Sequence, residues 1–201
     1  MSQDWLERFR RCGAVQDGHF RLSSGLHSTT YVQSALILQY PHEAEALGQA
    51  LAARVRGQRP EVVASPALGG IVIAHELARA LGCRAIFTER VDGRMQLRRG
   101  FSVGPAERAL LVEDVITTGG SVGEVAALVR AAGGSVAGLA ALVDRRGRAD
   151  QRRGGADLEA PLAALITLDL PVYAPDACPL CRAGVPINKP GSRPGARAGE
   201  G

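Results

Sequence analysis

Lysine is all but missing from this chain: of 24 basic residues only Lys189 is a lysine, and the others are arginine. Aromatic residues make up only 4%, which leaves little for base stacking, and the net charge is a modest +4. A nucleic-acid-binding surface is therefore poorly supported. Arginine's forked donors suit di- and triphosphate ligands instead. No apolar run approaches the roughly 20 residues of a membrane span, and the N-terminus MSQDWLERFRRCG has no signal-peptide core. Membrane insertion and export are thus not expected, and the cytoplasm is the expected location. There is no GxGxxG, and the one glycine- and hydroxyl-rich loop lacks the lysine of a nucleotide P-loop. No Ser-His-Asp or Cys-His set is recognisable either, so nucleophilic catalysis has no candidate.

Cysteine is sparse too. Of Cys12, Cys83, Cys178 and Cys181, the last two form a C-P-L-C with metal- or redox-like spacing. A zinc site needs about four ligands. No second CxxC and no histidine pair accompanies it, because His19, His27, His42 and His75 are scattered. The motif therefore reads as a local structural turn in preference to a metal site shared across subunits, and no disulfide framework is implied. At 201 residues and 46% hydrophobic content, a single domain with a proper core is the default.

What is present centres on ALLVEDVITTGGS, residues 109–121. Ala109, Leu110, Leu111 and Val112 read as a buried parallel strand. It runs into Glu113 and Asp114, then Val115 and Ile116, then the turn Thr117, Thr118, Gly119, Gly120 and Ser121. The helical pattern Val122, Val125, Ala126, Leu128, Val129 follows. A small-residue turn opening a helix suits an anion, since the first turn leaves N–H groups unpaired at the positive end of the dipole. The two carboxylates would repel a phosphate, so sugar hydroxyls or a hydrated Mg²⁺ fit them better. A phosphorylated sugar is the natural ligand.

Around this centre, Trp5, Leu6, Phe9 and Cys12 predict a helix stopped by Gly13, and residues 19–32 a hairpin turning at Ser24-Gly25. Pro41 opens an amphipathic helix with Ala44, Leu47, Leu51 and Val55 on one face and Gly57 beyond its end. Residues 62–65 read as a strand, 66–70 as a second glycine turn, and 71–81 as a helix ended by Gly82. Further strands are expected at 85–88, 135–143 and 162–168. Residues 91–105 are polar and arginine-rich, too polar for core and long for a connection, which suggests a lid. Alternating strands and helices from residue 43 onward predict an α/β fold, a parallel doubly wound sheet flanked by helices.

The acidic pair and the T-T-G-G-S loop resemble the phosphoribosyl diphosphate (PRPP) signature of type I phosphoribosyltransferases. F-x-L-x-S-G-x-x-S-x-x-Y, from Phe20 to Tyr31, is similar to the N-terminal hood of the orotate phosphoribosyltransferases. The resemblance covers nearly the whole chain. It implies one domain over 1–193, with helix and hood at 1–42, a flexible lid at 90–105 and a C-terminal extension at 172–193, followed by a disordered tail at 194–201. It implies that Glu113 and Asp114 hold the ribose hydroxyls, that Thr117 to Ser121 cradle the 5′-phosphate, and that Val115 and Ile116 between them also touch substrate. Leu68 and Gly69 would touch pyrophosphate, where relatives often carry an aromatic-lysine pair. Ser24 and Tyr31 would close over the pyrimidine, and Arg145 would pair with the orotate carboxylate. Arg90, Arg94 and Arg98 would draw off pyrophosphate, with the lid acting on a neighbouring subunit of a homodimer. Mg²⁺ is implied as cofactor, carried by PRPP and water without dedicated protein ligands.

Two departures stand out. Ser23 replaces a hood lysine, and arginines replace the lid's lysines and histidine. Arginine keeps the electrostatic role but is a poor proton donor. Arg146, Arg148, Arg152 and Arg153 read as a solvated surface. The implied activity is transfer of the ribosyl 5-phosphate group from PRPP to orotate in pyrimidine synthesis. The alternatives are a purine phosphoribosyltransferase and a PRPP-sensing regulator that binds nucleic acid.

Overall fold

The computed structural model describes residues 2–22, 24–146 and 160–190. Ser23, the arginines at 148, 152 and 153 and the tail at 194–201 lie outside them. The chain forms two compact units, one of Met1–Ala14 with Ser34–Asp169 and one of Val15–Gln33 with Leu170–Gly201.

The larger unit opens with α1 (Ser2–Arg11), whose Phe9 is fully buried. Gly13, at a φ of 69°, ends it as expected: its N–H donates to the Arg10 carbonyl while that of Ala14 donates to Phe9. After a short turn, α2 (Ala35–Leu38), comes α3 (Pro41–Val55), with Ala44, Leu47, Leu51 and Val55 buried as the spacing predicts. Proline at its first position is tolerated because that N–H has no helical partner.

The strands of this unit are β3 (Val62–Pro66), β4 (Arg84–Val91), β5 (Arg94–Leu97), β6 (Arg108–Ile116), β7 (Ser135–Asp144) and β8 (Leu162–Thr167). They form one sheet in the order β5-β4-β3-β6-β7-β8, parallel throughout except for the β4–β5 hairpin. β6 therefore lies inside the sheet, which is why its residues 109–112 are wholly apolar or small and fully buried. α4 (Gly70–Leu81) follows β3, and α5 (Gly120–Ala131) follows β6. Val122, Val125, Ala126 and Val129 of α5 share one apolar cluster with Val62, Ala64, Ala109, Leu111, Leu139 and Ala141 of the strands.

Two readings change here. The stretch at 91–105 is not wholly excluded from the core: Met95 on β5 and Val103 beyond it are buried in that same cluster. Pairing of β5 with β4 turns alternate residues of a polar stretch inward. Arg146, expected on a solvated surface, is only 6% exposed. It makes a forked pair with the equally buried Asp144, with Nε and Nη2 each 2.9 Å from a carboxylate oxygen. Asp144 ends β7, and that carboxylate satisfies the guanidinium next to it.

The smaller unit holds β1 (Val15–Arg21) and β2 (His27–Val32), the expected hairpin, with β9 (Val172–Tyr173) added beside β2. A helical turn, Pro179–Arg182, carries the C-P-L-C motif. Two of the histidines that read as scattered meet in space. His19 and His27 meet Cys178 and Cys181, all four donor atoms lying within 4.8 Å of one another. Sequence separations above 150 residues hid this group from any local spacing rule.

Candidate active site

In a parallel sheet, ligands collect where strands end and loops lead into helix N-termini. Here β3, β6 and β7 end on one edge, giving the loop before α4, the loop before α5 and the segment at Arg145. The Arg145 N–H donates to the Ile116 carbonyl at 2.8 Å, which fixes it beside the end of β6.

Glu113 and Asp114 sit within β6, and the two-residue alternation of a strand sends them to opposite faces. Glu113 lies on the α5 side with Ala109 and Leu111, and the Ser121 hydroxyl hydrogen-bonds to it. Asp114 lies toward α4, against Gly69: a Cβ built there would stand 2.6 Å from one carboxylate oxygen and 2.8 Å from the other. The neighbouring Gly70 is equally confined, its Cβ position 2.9 Å from that of Ser65. The two loops thus each meet one member of the acidic pair.

Both carboxylates are half-buried, and among the described residues neither is in an ion pair. Burial, and secondarily the charge of Asp114, pushes Glu113 up to about 8, partly offset by Ser121. Burial also raises Asp114, against backbone N–H groups of Val115 and Asp114 itself. Charged forms of both would be relieved by hydroxyl donors or a hydrated dication.

The loop of residues 117–119 is exposed at Thr117 and Thr118, and Gly119 takes a φ of 78°, a left-handed turn natural to glycine. The Gly120 N–H donates to the Thr118 hydroxyl at 3.4 Å, and the start of α5 is formed by Gly120 and Ser121. This is an N-terminus able to accept an anion. The loop before α4 contains a cis peptide between Ala67 and Leu68, and the Leu68 side chain is 74% exposed.

Of the arginines in the 90–105 segment, Arg94 and Arg98 on and beside β5 are exposed. Arg90 is paired across to α5, its Nη2 2.5 Å from Glu124 and its Nη1 2.6 Å from the Gly93 carbonyl. Arg99 pairs with Glu89 at 2.8 Å and lies over Phe87. Ser24 and Tyr31 belong to the smaller unit, where the Ser24 hydroxyl accepts from the Leu26 N–H and Tyr31 packs on Phe20. Sequence reasoning missed Glu124 and Asp144 as partners of the basic residues near this edge. A glutamate one turn into α5 carried the only available hint of the first.

Residues 35–157 match the model of the phosphoribosyl transferase domain family. The chain is 53% identical over 185 residues to the orotate phosphoribosyltransferase of Pelotomaculum thermopropionicum, covering 92% of this chain and 94% of that one. The orotate phosphoribosyltransferase of Caldicellulosiruptor bescii is 48% identical over 194 residues, 96% of this chain and 99% of its own. Among solved structures, that of orotate phosphoribosyltransferase from Aeropyrum pernix is similar with a TM-score of 0.65 at 27% identity, over 81% of this chain and 92% of that one. With its acidic pair divided between two glycine turns at one sheet edge, and with relatives matched over almost their full length, this chain belongs to the orotate phosphoribosyltransferase family of type I phosphoribosyltransferases.

Proposed function

We propose that the chain transfers the ribosyl 5-phosphate group from PRPP to orotate, releasing pyrophosphate and forming orotidine 5′-phosphate, a step of UMP synthesis. The observation that carries this reading is the pair Glu113 and Asp114, half-buried at the end of β6, beside a glycine turn that opens α5. In the reaction the bond from ribose C1 to pyrophosphate oxygen breaks, a bond from C1 to N1 of orotate forms, and the proton from N1 passes to pyrophosphate or solvent. C1 becomes cationic as pyrophosphate leaves, so the protein's task is alignment and charge neutralisation, with no protein nucleophile.

Glu113 and Asp114 accept hydrogen bonds from the ribose 2′- and 3′-hydroxyls. Backbone N–H groups of residues 117–121, with the Thr117, Thr118 and Ser121 hydroxyls, hold the 5′-phosphate. Arg145 pairs with the orotate carboxylate, and Ser24 and Tyr31 enclose the pyrimidine. Leu68 and Gly69 line the pyrophosphate, which Arg90, Arg94 and Arg98 help to withdraw. Glu113 and Asp114 would stand near a Mg²⁺ carried in with PRPP, and that ion would supply positive charge to the pyrophosphate. By the family resemblance, the 90–105 segment, on which Arg94 and Arg98 are exposed, serves the neighbouring subunit of a homodimer.

The test is direct. Purified protein is given PRPP, Mg²⁺ and, separately, orotate, adenine, hypoxanthine, guanine or xanthine. Turnover of orotate alone is expected. Turnover of a purine and not of orotate would reassign the base site and leave the PRPP site standing.

A further inference from the structure

The smaller unit is short of the material that normally holds a fold together. Among its described residues only Phe20, Val32 and Cys178 are buried apolar side chains, while Val172, Val185 and Ile187 are exposed. The rest of its buried set is polar: His19, His27, Ser28 and Thr30. A unit this small with so little apolar burial calls for a cross-link, a metal or a partner. Two of those buried polar residues converge with two cysteines.

We propose that His19, His27, Cys178 and Cys181 form a tetrahedral site for a structural zinc ion. Zinc holds thiolate sulfur at about 2.3 Å and imidazole nitrogen at about 2.0–2.1 Å, so the edges of its ligand tetrahedron span about 3.3–3.8 Å. Here His27 Nδ1 is 3.3 Å from the Cys181 sulfur and 3.1 Å from His19 Nε2. His19 Nε2 is 3.5 Å from the Cys178 sulfur and 3.7 Å from that of Cys181. These four separations are within a few tenths of an ångström of the tetrahedral edges, and all four donor atoms lie within 4.8 Å of one another.

Local structure aims each ligand. The β1–β2 register pairs Arg21 with His27 and shifts between Asp17 and Phe20, and within that irregularity His19 is brought to His27, with ring centroids 5.0 Å apart. The Arg182 N–H donates to the Cys178 carbonyl, closing a helical turn that puts Cys178 and Cys181 on one side. His19 Nδ1 lies 2.8 Å from the Val185 carbonyl. A carbonyl only accepts, so Nδ1 carries the proton and Nε2 presents its lone pair to the cluster. An outer hydrogen bond of this kind orients metal-binding imidazoles.

Four protein ligands leave no open position, so the ion's role is structural. It ties the β1–β2 hairpin to residues 178–185, which lie about 160 positions away in sequence. Binding takes the two cysteines as thiolates and releases their protons to solvent, with no change of oxidation state.

The test uses the untagged full chain. Elemental analysis is expected to give one zinc per chain. Replacement by Co²⁺ is expected to give the absorption of tetrahedral cobalt together with sulfur-to-cobalt charge transfer. In the zinc form, Cys12 and Cys83 are expected to react with a thiol reagent before Cys178 and Cys181 do. Cys181 is exposed, so Cys181→Ser removes a ligand without opening the core, and it is expected to lose zinc and the charge-transfer intensity. A folded, reduced protein that takes up neither zinc nor Co²⁺ tetrahedrally would overturn the proposal. So would a Cys178–Cys181 disulfide, seen as a mass two hydrogens lower, or a folded Cys181→Ser variant with unchanged cobalt absorption. If that variant does not fold, the wild-type cobalt spectrum decides.

Discussion

A methyl group added at Gly69 would stand 2.6 Å from a carboxylate oxygen of Asp114, although the two residues belong to different strand–loop–helix units. The loop before α4 and the acid of β6 are thus fitted to each other at the sheet edge. Gly69 has a φ of −57° and a ψ of −37°, a conformation any residue accepts. What glycine provides there is room, not conformational freedom.

Gly69→Ala therefore isolates that contact. Folding stability is expected to stay within about 1 kcal/mol, since alanine suits helical dihedrals. Asp114 must turn away, and a misplacement of that size lowers kcat/KM for PRPP on the order of 10²-fold. Thermal melts alongside steady-state kinetics check both halves. Wild-type kinetics would show that Asp114 does not need its observed orientation.

Glu113 carries a prediction about pH. Its carboxyl is raised from 4.5 to about 8 in the folded protein, so between those values the native chain keeps a proton that the unfolded chain has released. Stability attributable to this residue then falls as pH rises through that window. Glu113→Gln is expected to melt higher than wild type at pH 8.5, to differ little at pH 4, and to lose most turnover. Chemical denaturation at the two pH values reads the difference. An equal offset at both would remove the titration of Glu113 as the cause.

Arg90 must leave Glu124 if it is to meet pyrophosphate. The pair is well exposed and hence weak, about 0–1 kcal/mol, so release is cheap. Glu124→Gln is expected to tighten product inhibition by pyrophosphate several-fold, and Arg90→Ala to loosen it. Inhibition constants unchanged in both variants would place Arg90 outside the leaving-group site.

The Asp144–Arg146 pair is a matter of stability. Both side chains are nearly inaccessible, and removing one takes from the other its forked partner. Asp144→Ala is expected to cost about 3–5 kcal/mol in urea unfolding, and Asp144→Ala with Arg146→Met to recover much of that. If the double variant is no better than the single, the two side chains do not act as a pair.

The parts of this molecule that were legible in its sequence are those governed by neighbours along the chain. The buried face of α3, the glycine stop after α4 and the passage from β6 through residues 117–119 into α5 follow from spacings of two to four residues. Composition misled where long-range pairing decides. Met95 and Val103 are interior because β5 joins the sheet edge, and Arg146 is interior because Asp144 is beside it to receive it. The addition of β9 to β2, and the meeting of His19 and His27 with two distant cysteines, depend on residues far apart in the chain, and no local pattern encodes them.

The alternation of β6 has one more consequence, for the order in which its two acids occur. Glu113, longer by a methylene, spans to Ser121 on one face, while the shorter Asp114 ends just above the backbone of Gly69 on the other. Transposed as Asp-Glu, the sequence would keep its charge and composition but fall short of one loop and overrun the other. The two acids are not spares for one another, and reach ranks with charge in fixing which one stands where.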